Sequence, residues 1–189
     1  MRKFLLACAA MAAVSWSASA EIVKTAVPDC TTGQLCFYWW PKLPTLTGWH
    51  GDPALNLKMG ANGSNVLIPD GKTFSGAPAI LYARAIYIAR YDWQNKTQST
   101  LASFIADDIE TFRKEDPAVV IADAPPLTTA DGQVLKVVSF ARPDRKNWDC
   151  VAYGQEDGYY LMFVMSASSE AGYRDGLAAL QTLVAAYKK

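Results

Sequence analysis

From Pro117 onward, segments with strand character follow one another across turns too short to hold a helix. Parallel strands need long crossover connections, so this spacing points to an antiparallel sheet. Val119 to Ala122 reads as a short strand. The Thr129-Ala-Asp131-Gly132 turn leads into a strand over 133–141, and Trp148–Tyr153 and Tyr159–Ala167 form a hairpin across Gln155-Glu-Asp157-Gly158. Asp-Gly between two such runs favours a tight turn. Upstream, Ile80 to Arg90 is apolar on both parities, the pattern of a central strand covered on two faces. Two helical stripes complete the inventory. Leu101, Phe104, Ile105, Ile109 and Phe112 recur at helical spacing behind a cap at Thr97 or Ser99, and Pro117 ends that helix. Tyr173, Leu177, Leu180, Val184 and Tyr187 form a second stripe that starts near Ser169-Glu170. The expected class is α+β, with an antiparallel sheet of about six to seven strands packed with two main helices.

The first half is less regular. Leu35 to Trp40 reads as an aromatic strand stopped by Pro41 and Pro44, and 21–35 as a polar, turn-rich segment. Residues 41–78 are dense in Gly, Pro and Asn, which excludes long elements, although Asn65 to Ile68 can pair as a short strand before Pro69-Asp70-Gly71. At the N-terminus Arg2 and Lys3 precede the apolar run Phe4–Val14, and Ala18-Ser19-Ala20 supplies a small-x-small cleavage pattern before Glu21. Residues 1–20 therefore read as a secretory signal peptide of bacterial type, followed by one domain over 21–189. The expected location is periplasmic or secreted. Leu5-Leu6-Ala7-Cys8 is a weaker lipobox reading, since the apolar run before Cys8 is shorter than a leader core requires. No later stretch offers the roughly eighteen uncharged apolar residues of a membrane span.

Without the leader the chain carries 16 basic and 18 acidic side chains. That balance gives no electrostatic drive toward nucleic acid or anionic lipid. Cys30, Cys36 and Cys150 remain after cleavage. A disulfide can close the short Cys30–Cys36 loop or tie Cys36 to Cys150, and either choice leaves one cysteine over. With a single histidine and no C-x-x-C, no zinc site is expected. The acidic cluster Asp107, Asp108, Glu110, Glu115 and Asp116 lacks calcium-loop spacing and reads as a solvated helix face. No metal or cofactor is therefore expected.

The order helix 99–115, Val119-Val120-Ile121, Leu127-Thr128-Thr129-x-Asp131-Gly132, strand 133–141, hairpin 150–166 ending in Ser166-Ala167, and a final helix opening near Tyr173 resembles the PsbP-like α/β sandwich, including DcrB-like periplasmic proteins. The resemblance covers roughly residues 80–188. It implies a mostly non-enzymatic binding, accessory or assembly role, and carries no active-site motif. Residues 37–78 fall outside it.

Within that outlying region, Gly48-Trp49-His50-Gly51-Asp52-Pro53 holds the only imidazole of the chain. Catalysis by histidine must use His50, with Asp52 to orient the ring and Ser64 or Ser75 as distant nucleophiles. No G-x-S-x-G or S-x-x-K motif accompanies them. A thiol pair of Cys150 with His50 is a further arrangement, set against a strand position where cysteine is ordinarily packed. Phe37-Tyr38-Trp39-Trp40 places two rings on each face of a strand, and one pair can join Trp49 as a sugar-stacking platform or line the core. The expected function is non-catalytic recognition of another protein or an envelope component, through Trp49, His50 and Asp52. The alternative is a small envelope hydrolase using His50 and Asp52.

Overall fold

The protein is described from a computed structural model, which covers residues 22–27, 36–52, 55, 65–89 and 100–189. These residues form one antiparallel sheet of nine strands and two α-helices. The strands are β1 (Ile22–Val27), β2 (Cys36–Pro41), β3 (Trp49–Gly51), β4 (Asn65–Pro69), β5 (Ala79–Tyr87), β6 (Val120–Thr128), β7 (Val134–Arg142), β8 (Asn147–Glu156) and β9 (Tyr159–Ala167). Helix α1 (Leu101–Glu115) follows β5, and α2 (Glu170–Ala186) follows β9. The main path runs β1-β2-β5-β9-β8-β7-β6. The outer edge of β5 is shared: β4 pairs with it at Leu81–Ala83 and β2 at Ala85, while β3 hangs on β4. This is the expected α+β class. Its two additional strands are β1, within the segment expected to be polar and turn-rich although Ile22, Val23, Thr25 and Val27 are β-branched, and β3, within the Gly/Pro-rich region.

The helices lie on opposite faces of the sheet. Leu81, Ala83 and Ala85 of β5 belong to the core beneath α2, with Leu161, Phe163 and Met165 of β9. Tyr82 and Ile86, at the other parity, pack into the core beneath α1. A strand covered on both faces must be apolar at both parities, and β5 is. Helix α1 is capped by Thr100, whose side chain accepts from the Ser103 N–H in a reciprocal capping box. Thr100 takes the role expected of Thr97 or Ser99, both of which lie outside the described residues. Phe104 stacks on Tyr160 at 4.7 Å and Phe112 on Phe140 at 3.9 Å, and the Tyr153 hydroxyl donates to Asp108 Oδ2 at 2.6 Å. Two members of the acidic cluster thus depart from the expected solvated face: Asp108 accepts from the core, and Asp116, itself buried, accepts the Ala118 N–H at 3.0 Å and pairs with Arg145 at 3.1 Å.

Helix α2 runs diagonally. It opens on the N-cap Ser169, whose hydroxyl accepts from the Gly172 N–H at 3.0 Å. Gly172 then sits against the Pro78 backbone and Gly176 against Ala79 and Met165, at the start of β5. Just past its end, Tyr187 meets Phe163 edge-on at 4.8 Å and donates its hydroxyl to Glu156 at the far end of β8, at 2.7 Å. The expected stripe is the buried one, with Leu180, Val184 and Tyr187 at most 1% exposed.

Two polar features punctuate this frame. Arg142 Nη2 donates to Asp149 Oδ2 at 2.6 Å, Asn147 Nδ2 donates to both Asp149 Oδ1 and Ser166 Oγ at 3.3 Å, and the guanidinium lies 5.1 Å from the Phe112 ring centre. The other is Glu156, only 5% exposed. Burial lifts its pKa above the ordinary carboxylate value; the Tyr187 hydroxyl and Lys189 oppose the rise, while Asp157 and Asp131 add to it. Between the ordinary value and the raised one the folded state binds the proton more tightly, so stability rises as pH falls through that window. Glu156→Gln keeps an acceptor for Tyr187. It is expected to raise the melting temperature at pH about 7 and to flatten the gain on acidification to pH about 5. Melting curves at both pH values check this, and a variant that melts lower at neutral pH contradicts it.

At the outer edge, β6 continues well past the expected Ala122 end, through Ala124-Pro125-Pro126-Leu127. Its register against β7 shifts between Ala124 and Leu127, where the prolines bring no N–H to the ladder.

Candidate functional site

Strands β3 and β4 form a two-stranded ribbon on the edge of the sheet. The Trp49 N–H donates to the Leu46 carbonyl at 3.1 Å, and the Asp70 N–H to the Gly48 carbonyl at 2.8 Å. Gly48 adopts φ +81° in this turn, a value that side chains resist. The register sets Trp49 opposite Pro69 and His50 opposite Ile68. Successive strand residues face opposite sides, so Trp49 and His50 diverge.

Trp49 points to the α2 side and packs against the core there. It lines a cleft of about 300 Å³ with Thr45, Leu46 and Thr47 on one wall and Ala178, Ala179, Thr182 and Ala186 of α2 on the other. The small side chains of α2 open the space. Thr182 holds its hydroxyl back on the Ala178 carbonyl at 3.0 Å, which leaves Thr45 and Thr47 as the hydroxyls of the loop wall.

His50 instead pairs with Asp70: Nδ1 lies 3.2 Å from Oδ1, with side chains 46% and 62% exposed. Asp52 does not orient the imidazole as expected from its proximity in sequence. Its Oδ1 accepts the Leu55 N–H at 2.9 Å, a local turn-capping bond that uses the carboxylate where it stands. The three residues singled out by sequence thus divide among a cleft, an exposed side-chain contact and a backbone cap. Ser75 is exposed in the 3-10 turn Phe74–Gly76, and Ser64 lies outside the described residues.

The thiol arrangement is overturned. Cys150 sits on β8 and is free and fully buried, whereas His50 is exposed on β3. Burial pushes the Cys150 thiol up to about 11 despite a hydrogen bond with Tyr173, and burial together with Cys150 pushes Tyr173 up to about 12. A thiol held protonated in this way is a poor nucleophile. Because Cys150 is free, it is not bridged to Cys36; Cys30 lies outside the described residues.

One cluster escaped the sequence reading. Trp39 of the aromatic strand meets Tyr87 at 5.8 Å and Tyr159 at 6.2 Å between ring centres, and Tyr87 meets Tyr159 at 5.3 Å. The three come from β2, β5 and β9. Tyr87 and Tyr159 are direct partners across the β5–β9 ladder, and Trp39 is registered with Ala85. The signal available was an aromatic residue in each of the three strand runs; their meeting depends on which strands are neighbours, an order that composition and spacing do not reveal.

A scan against protein-family models finds no match to this chain, and a search of curated proteins finds none either.

Proposed function

We propose that this chain is a secreted or periplasmic, non-catalytic binding or accessory protein of the bacterial envelope, of PsbP-like architecture, and that it recognises another protein or an envelope component. The cleft beside Trp49 carries this reading. It joins one large aromatic side chain to a wall of small residues, a shape that accepts a protruding group and gains most of its affinity from a single anchor. The rigid sheet and α2 supply one wall and an irregular loop the other, the usual division between scaffold and recognition surface.

The test is capture from envelope extract with the purified protein, read by mass spectrometry, followed by titration with the purified partner. Trp49→Ala is expected to weaken that partner at least about tenfold, the effect of losing a modest anchor. A partner retained at full affinity by Trp49→Ala removes the cleft from the reading.

The alternative of a small envelope hydrolase has one observation in its favour, the His50–Asp70 pair. His50→Ala separates the two readings. A hydrolase loses activity on peptide or glycan substrates by orders of magnitude, whereas a binding protein keeps its partner to within one contact.

A further inference from the structure

We infer that Trp39, Tyr87 and Tyr159 form a stacking subsite for a pyranose ring. This rests on the binding reading above and names a ligand class for it, at a surface other than the Trp49 cleft. The three ring centres lie 5.3–6.2 Å apart, and the planes incline by 34°, 41° and 48°, so the rings present an uneven aromatic surface. Tyr87 is 41% exposed, and Trp39 and Tyr159 are half-buried. The apolar C–H face of a sugar is electropositive and fits the negative face of such rings.

The polar surroundings favour a sugar over an apolar protein side chain. Among the described residues no hydrogen bond engages the Tyr87 or Tyr159 hydroxyl. The turn beside them holds the exposed Asp157 paired with Lys189, and Gly158 lies against the Tyr87 ring. An apolar occupant strips water from these groups and returns no hydrogen bond, a net cost. A ring edged with hydroxyls both donates to them and accepts from them while its C–H face stacks. Gly158 at φ +84° contributes no side chain, which keeps the approach over Tyr87 open.

The experiment is calorimetric titration of the full chain with two soluble probes, a β-1,4-linked N-acetylglucosamine tetramer and maltotetraose. Binding of either is expected, with Tyr87→Ala weaker by at least about tenfold and Tyr87→Phe, which keeps the ring, intermediate. Tyr87 is exposed enough for the variant to fold, and an unchanged melting curve verifies this. The inference fails if neither probe binds, or if Tyr87→Ala binds as tightly as the parent. Its failure is distinct from failure of the binding reading: capture that depends on Trp49, with neither sugar bound, removes the sugar subsite and leaves the binding role. Sugar binding that depends on Tyr87, with no protein captured, upholds the subsite and narrows the role to glycan recognition.

Discussion

Gly172→Ala is expected to lower the melting temperature by roughly 6–12 °C. The usual effect of this change inside a helix has the opposite sign, since alanine is the better helix former by about 1 kcal/mol. Here the first turn of α2 rests directly on backbone. A methyl group at position 172 collides with the carbonyl oxygen and carbon of Pro78, and neither can swing aside as a side chain would. Ser168 also donates its N–H to that same carbonyl at 3.0 Å, so the contact is pinned from the connection into α2 as well. Overpacking of this kind costs about 3 kcal/mol. A protein of this size loses about 2–4 °C per kcal/mol, which gives the stated range. Gly176→Ala meets Ala79 Cβ and Met165 Cγ at 2.9 Å instead, and a smaller loss is expected because the methionine can move. Thermal denaturation of both variants decides the matter; a Gly172→Ala protein as stable as the parent contradicts the packing described.

The second large effect concerns the Arg142–Asp149 pair. Asp149 is 6% exposed, and the Arg142 side chain only 13%. Asp149→Ala removes the acceptor of the Arg142 guanidinium and one acceptor of Asn147. Leaving a buried charge without its partner costs about 3–5 kcal/mol. The double replacement Arg142→Met/Asp149→Leu removes both charges, and most of that loss is expected to return, because the pair's attraction largely offsets its own desolvation. Urea denaturation of the single and double variants tests this. A double variant no more stable than Asp149→Ala shows that the pair itself, and not the orphaned charge, carries the energy.

The second half of the fold was largely legible in sequence because its signals are local and agree with one another. The 155–158 turn is an example: Asp157 at φ +41° and Gly158 at φ +84° take the conformation that Asp-Gly favours, and β8 and β9 meet across it. The α2 stripe and its Ser169 cap are equally local. What remained hidden depends on neighbours far away in the chain. Strand β3 is three residues long and exists because β4 offers it an edge; β1, by contrast, carries a local signal in Ile22, Val23, Thr25 and Val27, diluted by the polar, turn-rich residues that follow it. The candidate site divided for a similar reason. Proximity in sequence suggested Asp52 for His50, whereas the register of the β3–β4 ribbon delivers Asp70, twenty positions away. The Tyr87–Tyr159 contact likewise required knowing that β5 and β9 are adjacent.

The prolines of β6 also make its flank a poor template for a further strand. In a regular strand, consecutive N–H groups point to opposite sides. Pro125-Pro126 lies where the register shifts, two residues against one on β7, so that alternation is interrupted there and two consecutive positions carry no N–H. A foreign strand seeking to continue the sheet there meets an interrupted register halfway along the edge. The sheet thus carries its own terminator on this flank, one built into the course of the main chain rather than a bulky or charged group set in the way.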